Sequence, residues 1–177
     1  MIISMPFLRQ FFRDESGTST IEFVIIAPVF FMFMFMGIEL GMVMTRQVML
    51  DRAVDISVRA LRLGNIEDPN LTKLRRSICA STALIRDCEQ NLLLELQRVN
   101  TTTWDYPTSP PACIDRTEEI APVTQVTGGG SNDLMILRAC LIIDPIFPTS
   151  PLGLRLPLDK SGGYQMFSIS AFVNEPR

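Results

Sequence analysis

The chain contains no histidine among its 177 residues. That removes the side chain most often used for proton transfer near neutral pH and the commonest metal-binding nitrogen. No glycine-rich phosphate loop follows an apolar strand, and no nucleophile elbow is present. Glu118 and Glu119 are adjacent, without the opposed geometry of an acid/base pair, and read as a solvated turn. There is no basic tract and the net charge is −3, so nothing recommends a nucleic-acid partner. The four cysteines include no C-x₂₋₄-C pair, which with the missing histidine argues against a metal site. No internal repeat is evident. The expectation is a non-enzyme with no metal and no cofactor.

What the chain does have is one long apolar run. Ile21 to Met44 carries only two charges, Glu22 and Glu39, and Phe23 to Ile38 is unbroken. About 20 residues at about 1.5 Å each cross the roughly 30 Å of bilayer hydrocarbon. A soluble core helix would show a polar face at 3.6-residue spacing, and this run has none. It predicts a single membrane span in contact with lipid. The run is too long for the apolar core of a secretory signal. Pro28 lacks an amide hydrogen and should kink it. The methionines of Met32-Phe33-Met34-Phe35-Met36 lie two apart, about 200° around a helix, so they cannot converge on one ion. Gly37 and Gly41 form a small-xxx-small pair that permits close helix approach. Glu39 reads as a boundary marker at the far interface.

The segment before the span is distinctive. Arg9 and Arg13 precede a small-residue step at Ser16-Gly17, followed by Thr18-Ser19-Thr20-Ile21-Glu22-Phe23. A cut after Gly17 would make Glu22 the fifth residue and Phe23 the sixth. An acid inside a membrane run is costly and marks a functional position. This arrangement resembles type IV prepilins of the Flp branch. With the lone helix, the cysteine-bearing C-terminal region and the FVNEP stretch near its end, it resembles TadE-like (TadE/TadF) pseudopilins of tight-adherence pilus systems. Asp14 and Glu15 depart from the pattern, since such leaders usually end basic.

The resemblance implies a leader at 1–17, removed by a prepilin peptidase between Gly17 and Thr18. It also implies that Glu22 pairs with the Thr18 ammonium of a neighbouring subunit, with Phe23, Gly37 and Gly41 in the assembly helix. Its implied partners are other pilins or pseudopilins, the inner-membrane assembly platform, the peptidase and membrane lipid. The implied location is the bacterial inner membrane, single-pass, with a periplasmic domain and a place in a pilus. The alternative is a static single-pass anchor whose periplasmic domain binds a partner protein. Arg46, Arg52, Arg59 and Arg62 outnumber the arginines before the span, and by positive-inside counting alone would put the domain in the cytoplasm. The cysteines and the leader argue the other way.

Beyond the span the helix continues to Leu63, with Met49, Ala53, Ile56, Ala60 and Leu63 on one face and Asp51, Asp55, Arg59 and Arg62 opposite. Gly64 is a suitable residue to end it. Residues 18–64 thus form one unit and 65–177 a second, α+β domain of pilin-like architecture. Asn70 should cap a helix with Leu71, Leu74, Ile78 and Ile85 on its apolar stripe. Leu92, Leu94 and Leu96 alternate as a strand. Thr101 to Asp133, with four prolines and Gly128-Gly129-Gly130, reads as a long loop. Leu134 to Ile143 is an apolar strand broken by Arg138. Tyr164 to Val173 is the last strand, with Phe167, Ile169, Ala171 and Val173 on one face and Ser168 and Ser170 on the other. The sum is a helix on a small antiparallel three-stranded sheet.

Cys79, Cys88, Cys113 and Cys140 all follow the span, an even number that suggests two disulfides in an oxidising compartment. Cys79 and Cys88 in one unbroken helix would lie about 13 Å apart, beyond the roughly 7 Å limit for a disulfide. Either the helix ends before Cys88 and the chain folds back, or each pairs with Cys113 or Cys140.

Overall fold

The computed structural model describes residues 18–66, 69–118 and 122–175. The leader, including Gly17, lies outside them, as does Glu119. The first element, α1, is one helix of 45 residues, Thr18–Arg62, passing through Pro28 without interruption. It stops one residue short of the predicted end. Gly64 adopts φ +72°, its amide donates to Leu61 O and that of Asn65 to Ala60 O. This is a paired closure of the last helical carbonyls, at a backbone angle that glycine adopts without strain.

Next come α2 (Leu71–Ala80), a single turn α3 (Cys88–Asn91), and the strands β1 (Leu92–Arg98), β2 (Leu134–Ile143) and β3 (Tyr164–Val173). Asn70 caps α2, its side chain accepting from the Lys73 amide at 2.8 Å. The strands form one antiparallel sheet in the order β1-β2-β3, giving the α+β fold. α1 and α2 lie on one face. The core there joins Leu50, Val54, Val58 and Leu61 to Leu74 and Ile78, and to Leu94, Leu137, Met166 and Phe172 of the strands.

Two sequence expectations change here, and β3 gains an orientation. The buried stripe of α1 is Leu50, Ala53, Val54, Ser57, Val58 and Leu61, while Ile56 and Leu63 of the predicted face are exposed. Ser57 hides the true stripe in the sequence. It is buried because its hydroxyl meets that of Ser77 on α2 at 3.0 Å, which offsets the loss of water. Arg138 does not break β2. It stays in register opposite Glu95 and Ile169, buried, with its guanidinium 3.0 Å from the Glu95 carboxylate and donating to Ser109 O. Finally, β3 turns its serine-bearing face inward. Ser168 is buried with Met166 and Phe172, while Phe167, Ile169, Ala171 and Val173 face out.

The segment between β1 and β2 explains the second face of the sheet. Its described residues form no helix or strand, but they cover the back of β1 and β2, where Leu93, Arg138, Cys140 and Ile142 are buried. The Cys113–Cys140 disulfide, with Cα atoms 5.2 Å apart, fastens it. Residues 125–127 run beside the edge of β1, the Leu96 amide donating to Gln125 O and the Thr127 amide to Leu96 O, each at 2.9 Å. The second disulfide joins Cys79 to Cys88, Cα atoms 5.6 Å apart. Of the two alternatives, the fold-back holds: α2 ends at Ala80, and Asp87 takes φ +51° to reverse the chain into α3. Asp tolerates this left-handed region better than most residues.

β3 remains an edge strand, uncovered on its back. It runs beside α1 in the same direction. The Gln47 side chain donates to Phe167 O at 2.9 Å near the start, and the Glu175 amide to Arg62 O at 3.3 Å near the end.

Candidate functional site

The first half of α1 leaves the domain behind. Its most apolar 18-residue window has a mean hydropathy of 2.4, and none of it is buried within the chain. The helix is long and apolar enough to span a membrane. Ile21, Phe23, Val24, Ile25, Ile26, Phe30 and Phe33 are each more than three-fifths exposed. Burial of so much apolar surface is strongly favourable, about 25 cal/mol for each Å² removed from water, so a lipid or helical environment must cover it.

Thr18 opens the helix, and Glu22 stands exposed one turn later beside Phe23. Glu22 makes no hydrogen bond or ion pair with any described residue. A carboxylate at this depth needs a partner from outside the chain or the headgroup region. Further along, Gly37 and Gly41 lie one turn apart. A Cβ built on either would meet nothing within 4 Å, so the notch they form is open to another helix. Glu22, Phe23, Gly37 and Gly41 therefore share one exposed rod but do not converge on a pocket. What such a rod can do chemically is associate.

Glu39 has a role beyond the sequence expectation. It is 0% exposed, and its two carboxylate oxygens accept the backbone amides of Ile146 (3.1 Å) and Phe147 (2.8 Å). The Phe147 ring lies 5.0 Å from that of Phe35. Arg46 donates to Asp144 O at 3.1 Å, so the loop after β2 is laid along α1 from Phe35 to Arg46. Glu39 joins helix and domain through these amides, a role that the boundary-marker reading does not contain. A lone acid gives no signal of its partners when these are main-chain amides more than a hundred residues away.

Outside the helix, Arg116 pairs with Asp144. The guanidinium approaches the carboxylate at 2.6 and 3.1 Å and holds its pKa below the usual value. Arg116 also donates to Ser161 at 2.8 Å. The cluster ties the loop before β2 to the one after it. Among the described residues, no group of three or more acidic or sulfur side chains could hold a metal ion.

Comparison with known families finds one match: residues 17–59 fit the model of TadE-like protein. The match begins at Gly17, and its described residues, 18–59, belong to α1. No curated protein and no solved structure matches the chain.

Proposed function

With residues 17–59 those of a TadE-like protein, we propose that the chain is a minor pilin or pseudopilin that assembles through α1. A TadE-like segment implies involvement in the Tad pilus system. Beyond that, the proposal assigns roles to residues. A prepilin peptidase cuts between Gly17 and Thr18, and the Glu22 carboxylate meets the new Thr18 ammonium on an adjacent subunit. Gly37 and Gly41 admit the neighbouring helix. The domain of residues 65–177 lies in the periplasm, where its two disulfides are stable. The partners are other pilins and the inner-membrane assembly platform, and the chain is a substrate of processing rather than a catalyst.

The observation that carries this reading is Glu22: an acid whose side chain has no partner among the described residues, one turn into a helix whose most apolar window is unburied. Two unpaired charges in hydrocarbon are each costly, and joining them across subunits fixes a register. The test is mass spectrometry of the protein's N-terminus from cells with and without the peptidase, beside pull-down of Glu22→Gln. The expected results are a chain starting at Thr18 and a processed variant that no longer co-purifies with other pilins. An intact Met1 terminus in the presence of the peptidase, with wild-type association of Glu22→Gln, would sink the proposal in favour of a static anchor.

A further inference from the structure

The loop between β2 and β3 carries exposed apolar side chains and is attached to the part of α1 that the membrane would occupy. If the hydrocarbon begins at Glu22, about 20 residues reach Gly41, so Phe35 and Glu39 lie within its outer turns. The Phe35 ring packs at a tilt against that of Phe147, and Glu39 holds the amides of Ile146 and Phe147. Irregular backbone at this depth needs its polar groups satisfied by protein, and Glu39 does that for two amides water would otherwise have to reach.

The rest of the loop is folded tightly against this anchor. The Ser150 amide donates to Phe147 O (3.0 Å), the Gly153 amide to the Ser150 hydroxyl (2.9 Å) and the Leu154 amide to Ser150 O (2.9 Å). A Cβ on Gly153 would collide with Phe147 O, so the turn closes only with glycine there. This presents Leu154, 71% exposed, one turn away from Phe147, with Ile146 and Leu158 each 40% exposed. Arg155 and Lys160, also exposed, flank them.

We propose that residues 146–158 seat the domain on the bilayer that α1 crosses, with Ile146, Phe147 and Leu154 entering the boundary between headgroups and acyl chains. Arg155 and Lys160 lie against lipid phosphate. This rests on the reading of α1 as a membrane span. Apolar side chains flanked by basic ones are the composition of interfacial segments, which enter about 5–10 Å into that boundary. The occupant is lipid because the loop is fixed to Phe35 and Glu39, at the level where α1 itself leaves the hydrocarbon.

Trp104 is the sole tryptophan, so the test uses the full chain with Trp104→Phe and a single reporter, either Leu154→Trp or Val29→Trp. Each is reconstituted in vesicles of phosphatidylethanolamine and phosphatidylglycerol, with or without chain-brominated lipid. Leu154 and Val29 are both exposed, so neither change disturbs the fold, and the unreduced mass reports the intact disulfides. Both reporters should lose most of their emission to the brominated chains. Quenching of V29W with L154W left bright and red-shifted would overturn the seating while keeping the span. An L154W emission that is blue-shifted yet unquenched would mean that protein, such as a second copy, covers the loop, and this too overturns it. Loss of quenching in V29W would overturn the span and the seating together.

Discussion

Glu39 and Phe147 are 108 residues apart, yet the carboxylate of one accepts the amide of the other at 2.8 Å. Replacing Glu39 by Leu leaves that amide and the one of Ile146 without their carboxylate acceptor in a partly buried site. Hydrogen bonds to charged groups contribute about 1.5–3 kcal/mol each, so losing both should cost about 3–6 kcal/mol. Hydrogen exchange at Phe147 in the full chain should accelerate accordingly. Unchanged protection there would mean that Phe35 and Arg46 hold the loop without Glu39.

Glu22 and Glu39 should separate cleanly. Glu22→Gln should leave the unfolding of residues 65–177 unchanged and abolish co-purification with other pilins. Removing one member of a buried pair typically costs about 3–5 kcal/mol, more than a hundredfold in an assembly equilibrium. Glu39→Gln should lower the thermal midpoint of the domain instead.

Gly37 and Gly41 test the helix surface alone. A Cβ at either meets no other described side chain within 4 Å, so Gly37→Leu and Gly41→Leu should fold, insert and keep the wild-type melting temperature. Loss of helix–helix association in a pull-down or two-hybrid assay is the expected effect. Wild-type association of the double variant would rule out the notch as a contact.

The two disulfides should differ in weight. Their separations are 27 residues for Cys113–Cys140 and 9 for Cys79–Cys88. By loop-closure entropy each contributes about 2–4 kcal/mol, the longer loop about 1 kcal/mol more. Paired Ser substitutions at Cys113 and Cys140 should therefore lower stability further than those at Cys79 and Cys88. They should also open residues 101–133 to protease first, because that segment covers the buried Arg138–Glu95 pair.

The Arg116–Asp144 contact sets a pH dependence. The guanidinium depresses the Asp144 pKa, so the paired form contributes stability above the ordinary carboxylate value near 3.9. That contribution is lost as pH falls through the lower, folded value. The pair is solvent-accessible and its effect modest. An NMR titration should find Asp144 ionised below pH 4 and, in Arg116→Ala, titrating at a higher pH.

Element positions were legible in the sequence where one signal dominated. Alternating leucines marked β1, a continuous apolar run marked β2, and Asn70 and Gly64 marked helix ends by their own chemistry. Faces were less legible. Ser57 and Ser168 are polar residues placed inward, and Phe167 and Ile169 are apolar residues placed outward, so hydropathy alone misplaces the stripe of α1 and does not reveal the inward face of β3. Arg138 looked like an interruption because its partner, Glu95, lies on another strand. The proposed processing and assembly residues rest on a spacing, Gly17 to Glu22 to Phe23, which needs no tertiary information. Glu39 was not, since main-chain amides have no sequence signature.

The shared direction of β3 and α1 bears on how copies can meet. An edge strand with an apolar outer face is an open template, and antiparallel pairing is the commoner way for such edges to join. In that arrangement the second β3 runs the opposite way, and because β3 points along α1, the second α1 would point away from the first. Two copies rooted by the same end in one membrane cannot adopt it. Anchoring thus shields Phe167, Ile169 and Val173 from self-aggregation. Once detergent frees the chains to turn over, the same edge becomes adhesive.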